Sequence, residues 1–121
     1  VAQTSDLVRA SCARRLEVQF NHLQSATEVT HQWRNHVANK LGWLPPTGYH
    51  RVLLYLYTRH QEGMDYILVS DVARMCGIRI DSVRSMTRRM ENDLLVRFHS
   101  INNQPHVYLT DKGRYVTELS L

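Results

Sequence analysis

The apolar positions of this 121-residue chain follow different periods along its length. From about Leu7 to Leu41 there is no strong breaker, and Leu16, Phe20, Leu23, Ala26, Val29 (or Thr30), Trp33, Val37 and Leu41 recur three or four apart. That spacing puts them on one face of an α-helix. The stretch is long for a globular helix, so it reads as one long helix or as two. Its apolar face needs a cover, either the chain's own core or a second subunit. Gly42 stops this element and Pro45-Pro46 initiate the next, in which proline is tolerated at a first helical turn. That helix, Gly48 to His60, turns Val52, Leu53, Leu56 and Tyr57 inward, with Tyr49, Tyr55 and Tyr57 half buried. Beyond the loop QEGMD, the run Tyr66–Val69 suits a small edge strand.

Two short helices then meet at a glycine. Ser70 caps the first, Asp71 to Cys76, anchored by Val72, Ala73 and Met75. Gly77 takes the left-handed conformation and Ile78 plugs the turn. The second helix runs from Ile80 to about Glu91, with Val83, Met86 and Met90 inward and Asp81, Arg84, Ser85 and Arg88 outward. Alternation follows: a strand Leu94–Phe98, a polar tip Ser100–Pro105, and a return strand His106–Leu109. Thr110 caps a last helix from Asp111 that reaches Leu121. The expected fold is mainly α with a small β-hairpin (α+β): a winged helix-turn-helix with a long N-terminal helix. Residues 1–44 form the helical, candidate dimerisation region and residues 45–121 the DNA-binding domain.

Charge sharpens this picture. From Val72 to Phe98 there are six arginines against three acids, a net +3 of the whole chain's +4. Such focusing favours a surface turned to a polyanion. A helix fits the major groove, and side chains at i, i+3, i+4 and i+7 reach base edges. Ile80, Asp81, Arg84, Ser85 and Arg88 have that spacing. Arg84 and Arg88 suit guanine, whose O6 and N7 match a guanidinium fork. Asp81 caps the helix, restrains an arginine, or accepts from a cytosine N4. Arg79 and Arg89, with Ser70, are placed on phosphate. Arg97, Asn102, Asn103 and Gln104 would put the wing beside the backbone or in the minor groove. The tip carries no lysine or arginine, so the wing should add less salt-sensitive affinity than the helix.

Residues Ser70 to Leu121 resemble the DNA-binding half of the multiple-antibiotic-resistance regulator (MarR) family, through VSDVARMCGIRIDSVRSMTRRMENDLLVR and VYLTDKGRYVTEL. Gly77, Ile78, Ser82 and Val83 match the family's Gly-hydrophobic-x-x-x-[Ser/Thr]-Val pattern, and Leu109 to Arg114 match its LTxxGR. LGWLPPTGYHRVLLYLY is similar to the segment where the family begins its second helix, and Leu16 to Lys40 would correspond to the first. The resemblance implies a homodimeric transcriptional regulator on a pseudo-palindromic operator, often released by small aromatic or phenolic effectors or by cysteine oxidation. It also marks departures. The family's usual glycine falls at Leu94, so Asn92 or Asp93 is expected to manage the helix exit. The wing lacks the Asp-x-Arg pair. Family members continue into long C-terminal helices, so dimerisation here is expected to rest on the N-terminal helix.

Other chemistries find little support. Of the seven histidines, none sits in a compact ligand motif, and His31 and His36 fall on diverging helix faces, which argues against a metal centre. No nucleophile elbow, P-loop or glycine-rich nucleotide fingerprint occurs, so neither an enzyme nor a cofactor is expected. No window approaches the roughly 18 apolar residues of a membrane span, and the N-terminus lacks the core of a secretory signal. Cys12 and Cys76 read as reduced thiols of a cytoplasmic protein, with Cys76 in the core. Trp33, Trp43 and the tyrosines serve either a ligand pocket or core packing. The expected function is therefore sequence-specific double-stranded DNA binding by a homodimer. The alternative is a winged-helix interaction module or adaptor with at most nonspecific DNA binding, and a third reading is a winged-helix replication or plasmid-maintenance protein.

Overall fold

The computed structural model describes residues 27–121; Leu16, Phe20, Leu23, Ala26 and Cys12 lie outside them. The described chain runs α1 (Thr27–Leu41), α2 (Tyr49–Gln61), β1 (Ile67–Leu68), α3 (Val69–Cys76), α4 (Ile80–Asn92), β2 (Val96–Ile101), β3 (Gln104–Leu109) and α5 (Asp111–Glu118). The strands form an antiparallel sheet in the order β1-β3-β2. This is a winged helix-turn-helix, mainly helical with a small sheet.

The stripe on α1 buries Thr30, Trp33 and Val37. Thr30 rather than Val29 points inward, and Leu41 is exposed where Gly42, at φ 68°, ends the helix. Trp33 Nε1 donates to the Val116 carbonyl (2.9 Å), and the indole stacks on His50 with ring centroids 4.6 Å apart. Arg34 Nε donates to the Pro45 carbonyl. Pro45 and Pro46 stand ahead of α2 rather than in its first turn, because a turn closed by Tyr49 N on Pro46 O (3.2 Å) leads into the helix. From Val52 to Tyr57 every side chain of α2 is buried, since α3, α5 and β3 pack around it. Tyr49, Tyr55 and Tyr57 are buried, not half buried. The hydroxyls of Tyr49 and Tyr57 donate to Asp93 and Glu118, each at 3.0 Å, so these rings can go fully inside.

Three helices end alike. A left-handed residue closes α2 at Gly63, α3 at Gly77 and α4 at Leu94, with φ of 86°, 66° and 66°. The next amide then donates five residues back: Met64 to Arg59 at 2.9 Å, Ile78 to Ala73 at 3.0 Å, Leu95 to Met90 at 2.9 Å. Glycine is usual at such a position because it has no Cβ. At the third it is Leu94 itself, not Asn92 or Asp93, that turns the chain, with its side chain 62% exposed.

Ser70 is not a cap. Strand β1 runs straight into α3, so the helix begins at Val69 behind Leu68 without a side-chain cap. The buried face of α3 is Val69, Val72, Ala73 and Cys76, and Met75 falls outside it, 55% exposed. Along α4 the buried positions are Val83, Thr87 and Met90, with Met86 at the margin. Thr87 goes inside because its hydroxyl donates to Val83 O (2.7 Å).

The wing is tighter than expected. Its strands pair from Val96↔Leu109 to Ile101↔Gln104. Only Asn102 and Asn103 remain for the tip, both at positive φ (53° and 61°), the requirement of a two-residue type I′ turn. The LTxxGR segment becomes a docking corner. Thr110 accepts from Gly113 N (3.0 Å), while its own N donates to Leu95 O (3.0 Å) and its hydroxyl is shared between Leu94 O (2.6 Å) and Leu95 O (2.9 Å). Gly113 lies so close to Leu95 O that no Cβ would fit. Arg114 pairs with Asp111 one helical turn away. The last helix stops at Glu118, short of Leu121.

Candidate nucleic-acid interface

Helix α4 is held at both ends. At the start, Arg51 Nη1 donates to the Cys76 carbonyl (3.0 Å), tying the glycine turn to α2. At the end, Glu91 Oε2 accepts from Phe98 N (3.3 Å), tying the root of the wing to the helix. Between these anchors Asp81, Arg84, Ser85, Arg88 and Arg89 are exposed, and Ile80 is half-buried against the core.

Asp81 neither caps nor restrains. The N-cap position is Arg79, no side-chain cap bond forms there, and Asp81 makes no ion pair among the described residues. Its carboxylate sits in the first turn, where the helix dipole favours a negative charge.

Local ion pairs sort the arginines. Arg59, Arg74 and Arg114 pair with Glu62, Asp71 and Asp111, each three residues away in sequence. Among the described residues, Arg79, Arg84, Arg88, Arg89 and Arg97 have no carboxylate partner. Arg84 and Arg88 face a groove of about 400 Å³ between α4 and the wing, closed on the far side by Phe98, Ser100, Asn103 and Pro105. A smaller depression beside it brings Ser70, Ile80, Arg84 and Gln104 together. Arg79 and Arg89 lie instead on a cleft between α4 and the start of α2, with Asp81, Ser82 and Tyr49.

Two expected contacts stand apart. Arg97 is paired with Tyr108 and alternates with Val96 and Phe98, so it lies on the sheet face turned away from α4. Asn102 is exposed at the tip outside the groove. Conversely, Ser100 and Phe98 line the groove, beyond the residues that helix spacing and charge point to. The signal for them was the Asn102-Asn103 pair. Two asparagines suit a tight turn, which extends the strand past Phe98 and sets the face of Ser100.

Burial holds two acidic side chains of the body protonated. Burial pushes the Cys76 thiol up to about 12, which removes the thiolate that oxidation needs. Burial, and then the bond to Asp93, raise Tyr49 to about 12. Among the described residues, no three His, Cys, Asp or Glu side chains converge to hold a metal ion, and no helix is long and apolar enough to cross a membrane.

No family model and no curated protein matches the chain. Solved structures do. MepR, a transcription regulator of the Staphylococcus aureus multidrug efflux pump MepA, superposes with a TM-score of 0.62 at 17% identity, over 83% of this chain and 72% of MepR. The S. aureus MepR–DNA complex gives 0.59 at 16% identity, over 84% and 71%. AbsC, a MarR family transcriptional regulator from Streptomyces coelicolor, gives 0.56 at 21% identity, over 98% and 72%. At such identities the likeness establishes the fold that this chain shares with these regulators.

Proposed function

We propose that this protein is a sequence-specific, double-stranded-DNA-binding transcription regulator of the MarR type, acting as a homodimer. The observation that carries the reading is the set of arginines on α4 left without carboxylate partners, while the arginines elsewhere on α3 and α5 are paired. An exposed, uncompensated row of guanidinium groups on the second helix of a helix-turn-helix suits the major groove. Arg84 and Arg88 take guanine edges, with Ile80, Asp81 and Ser85 refining the sequence. Arg79 and Arg89 hold phosphates on one flank, and Ser70, Asn103 and Gln104 hold them on the other. The likeness to MepR, which has been solved in complex with DNA, supports this docking.

The homodimer would form through the N-terminal helical region, the exposed Leu41 of α1 supporting an apolar partner there. A small-molecule effector finds support in the cleft between α2 and α4, where an occupant would press on the helix that reads DNA. No chemical step is involved. Occupancy of a promoter is the whole mechanism.

The deciding experiment selects duplexes from a random library, sizes the complexes and repeats binding across a salt series. An inverted repeat bound by a dimer well above background is the expected result. Recovery of unrelated sequences whose binding collapses with modest salt would leave only nonspecific electrostatics and sink the proposal.

A further inference from the structure

On the sheet face turned away from α4, the pairing of β2 with β3 sets His99 directly opposite His106. Residues opposed in this way share a face, with Cβ atoms roughly 5 Å apart. Strand alternation agrees: Val107 and Val96 are buried, while His99 is exposed and His106 half-buried. Seven positions separate the two histidines in sequence, with the Asn102-Asn103 turn between them.

The two rings differ in a way that fits a ligand pair. His106 Nδ1 lies 2.9 Å from the Gln104 carbonyl. A carbonyl only accepts, so Nδ1 carries the proton, and in the neutral ring Nε2 keeps its lone pair. Histidines that bind metal are held this way, donating the second ring N–H to a carbonyl or carboxylate. His99 makes no hydrogen bond among the described residues and leans on Tyr66, with ring centroids 5.4 Å apart. His99 is exposed, so its ring is open to solvent and to an ion.

We infer that His99 and His106 form a two-histidine site for a divalent transition metal on the outer face of the wing. Imidazole nitrogen suits Zn²⁺, Ni²⁺ and Cu²⁺, and two rings at cross-strand distance can both reach an ion at about 2.0–2.1 Å. With two protein ligands the remaining positions fall to water, so the site exchanges metal instead of holding it permanently. A bound ion would join the two strands of the hairpin, and the site does not depend on the DNA-binding reading.

The test is a Zn²⁺ titration of the full chain, followed by calorimetry and by the ring-proton NMR signals of the histidines. One Zn²⁺ per chain is expected, with the signals of His99 and His106 moving together and those of His31, His36 and His60 unmoved. His99→Gln and His106→Gln should each weaken binding at least about tenfold. No binding at millimolar Zn²⁺, affinity retained in both variants, or shifts at other histidines would overturn the assignment. The wild-type NMR signals identify the ligands even if a variant folds poorly.

Discussion

Leu94 is strained where a glycine would not be. It holds φ 66° at the end of α4 with most of its side chain in solvent. Left-handed backbone costs an L-residue about 1–2 kcal/mol, and little burial is lost on truncation. Part of that gain is offset by the greater freedom of glycine in the unfolded chain. Leu94→Gly should therefore stabilise the fold by about 1 kcal/mol, read as a higher denaturant midpoint at unchanged slope. His50 makes a second prediction at this scale. It is fully buried, stacked on Trp33 and bonded at Nδ1 to Thr30, and burial lowers it from 6.5 to about 4. Because the folded state binds this proton less readily than the unfolded one, acid favours unfolding. Stability should be intact above pH 6.5 and fall progressively towards about pH 4, by about 3 kcal/mol in all. In His50→Phe, which keeps the stack, unfolding measured across that window should lose this part of its pH dependence.

At the scale of elements, the corner joining α5 to the root of β2 is the least forgiving. Thr110 and Gly113 both press on Leu95 O, and a Cβ at Gly113 would also meet Leu109 Cδ1 at 2.8 Å. Backbone cannot move aside as a flexible side chain can, so Gly113→Ala should destabilise the protein by about 1–3 kcal/mol or more. Thermal melting decides it: an unchanged midpoint would mean the corner is loose. The family-like LTxxGR thus has a physical reading of its own, a cap, a close approach and an ion pair within six residues.

For the whole molecule the charge distribution makes the prediction. Arg84 lies in the groove facing the wing, whereas Arg97 lies on the other side of the sheet. Arg84→Ala should cost about 1–3 kcal/mol on the selected operator and flatten sequence preference. Arg97→Ala should leave specificity intact and change the salt dependence little. Titrating both variants against the operator and a random duplex separates these outcomes. Equal losses for Arg84→Ala on both duplexes would remove it from the base-reading set.

Much of this protein is determined locally and is legible in its sequence. The glycine turn at Gly77, the inward Val83 and Met90, the Thr110 cap and the order helix, turn, helix, hairpin follow from periodicity and capping over a few residues. Placement of Arg84 and Arg88 on the outer face of their helix follows in the same way. What tertiary structure alone decided depends on groups far apart in sequence. Asp93 and Glu118 draw Tyr49 and Tyr57 fully inside. Glu91 fixes the wing so that Ser100 and Asn103 face Arg84 and Arg88. Strand alternation sends Arg97 to the far face, and cross-strand register brings His99 opposite His106. A local pattern states which face of an element is apolar. Which two faces meet is set by how the elements pack, because the partner of each polar group is supplied by another part of the chain.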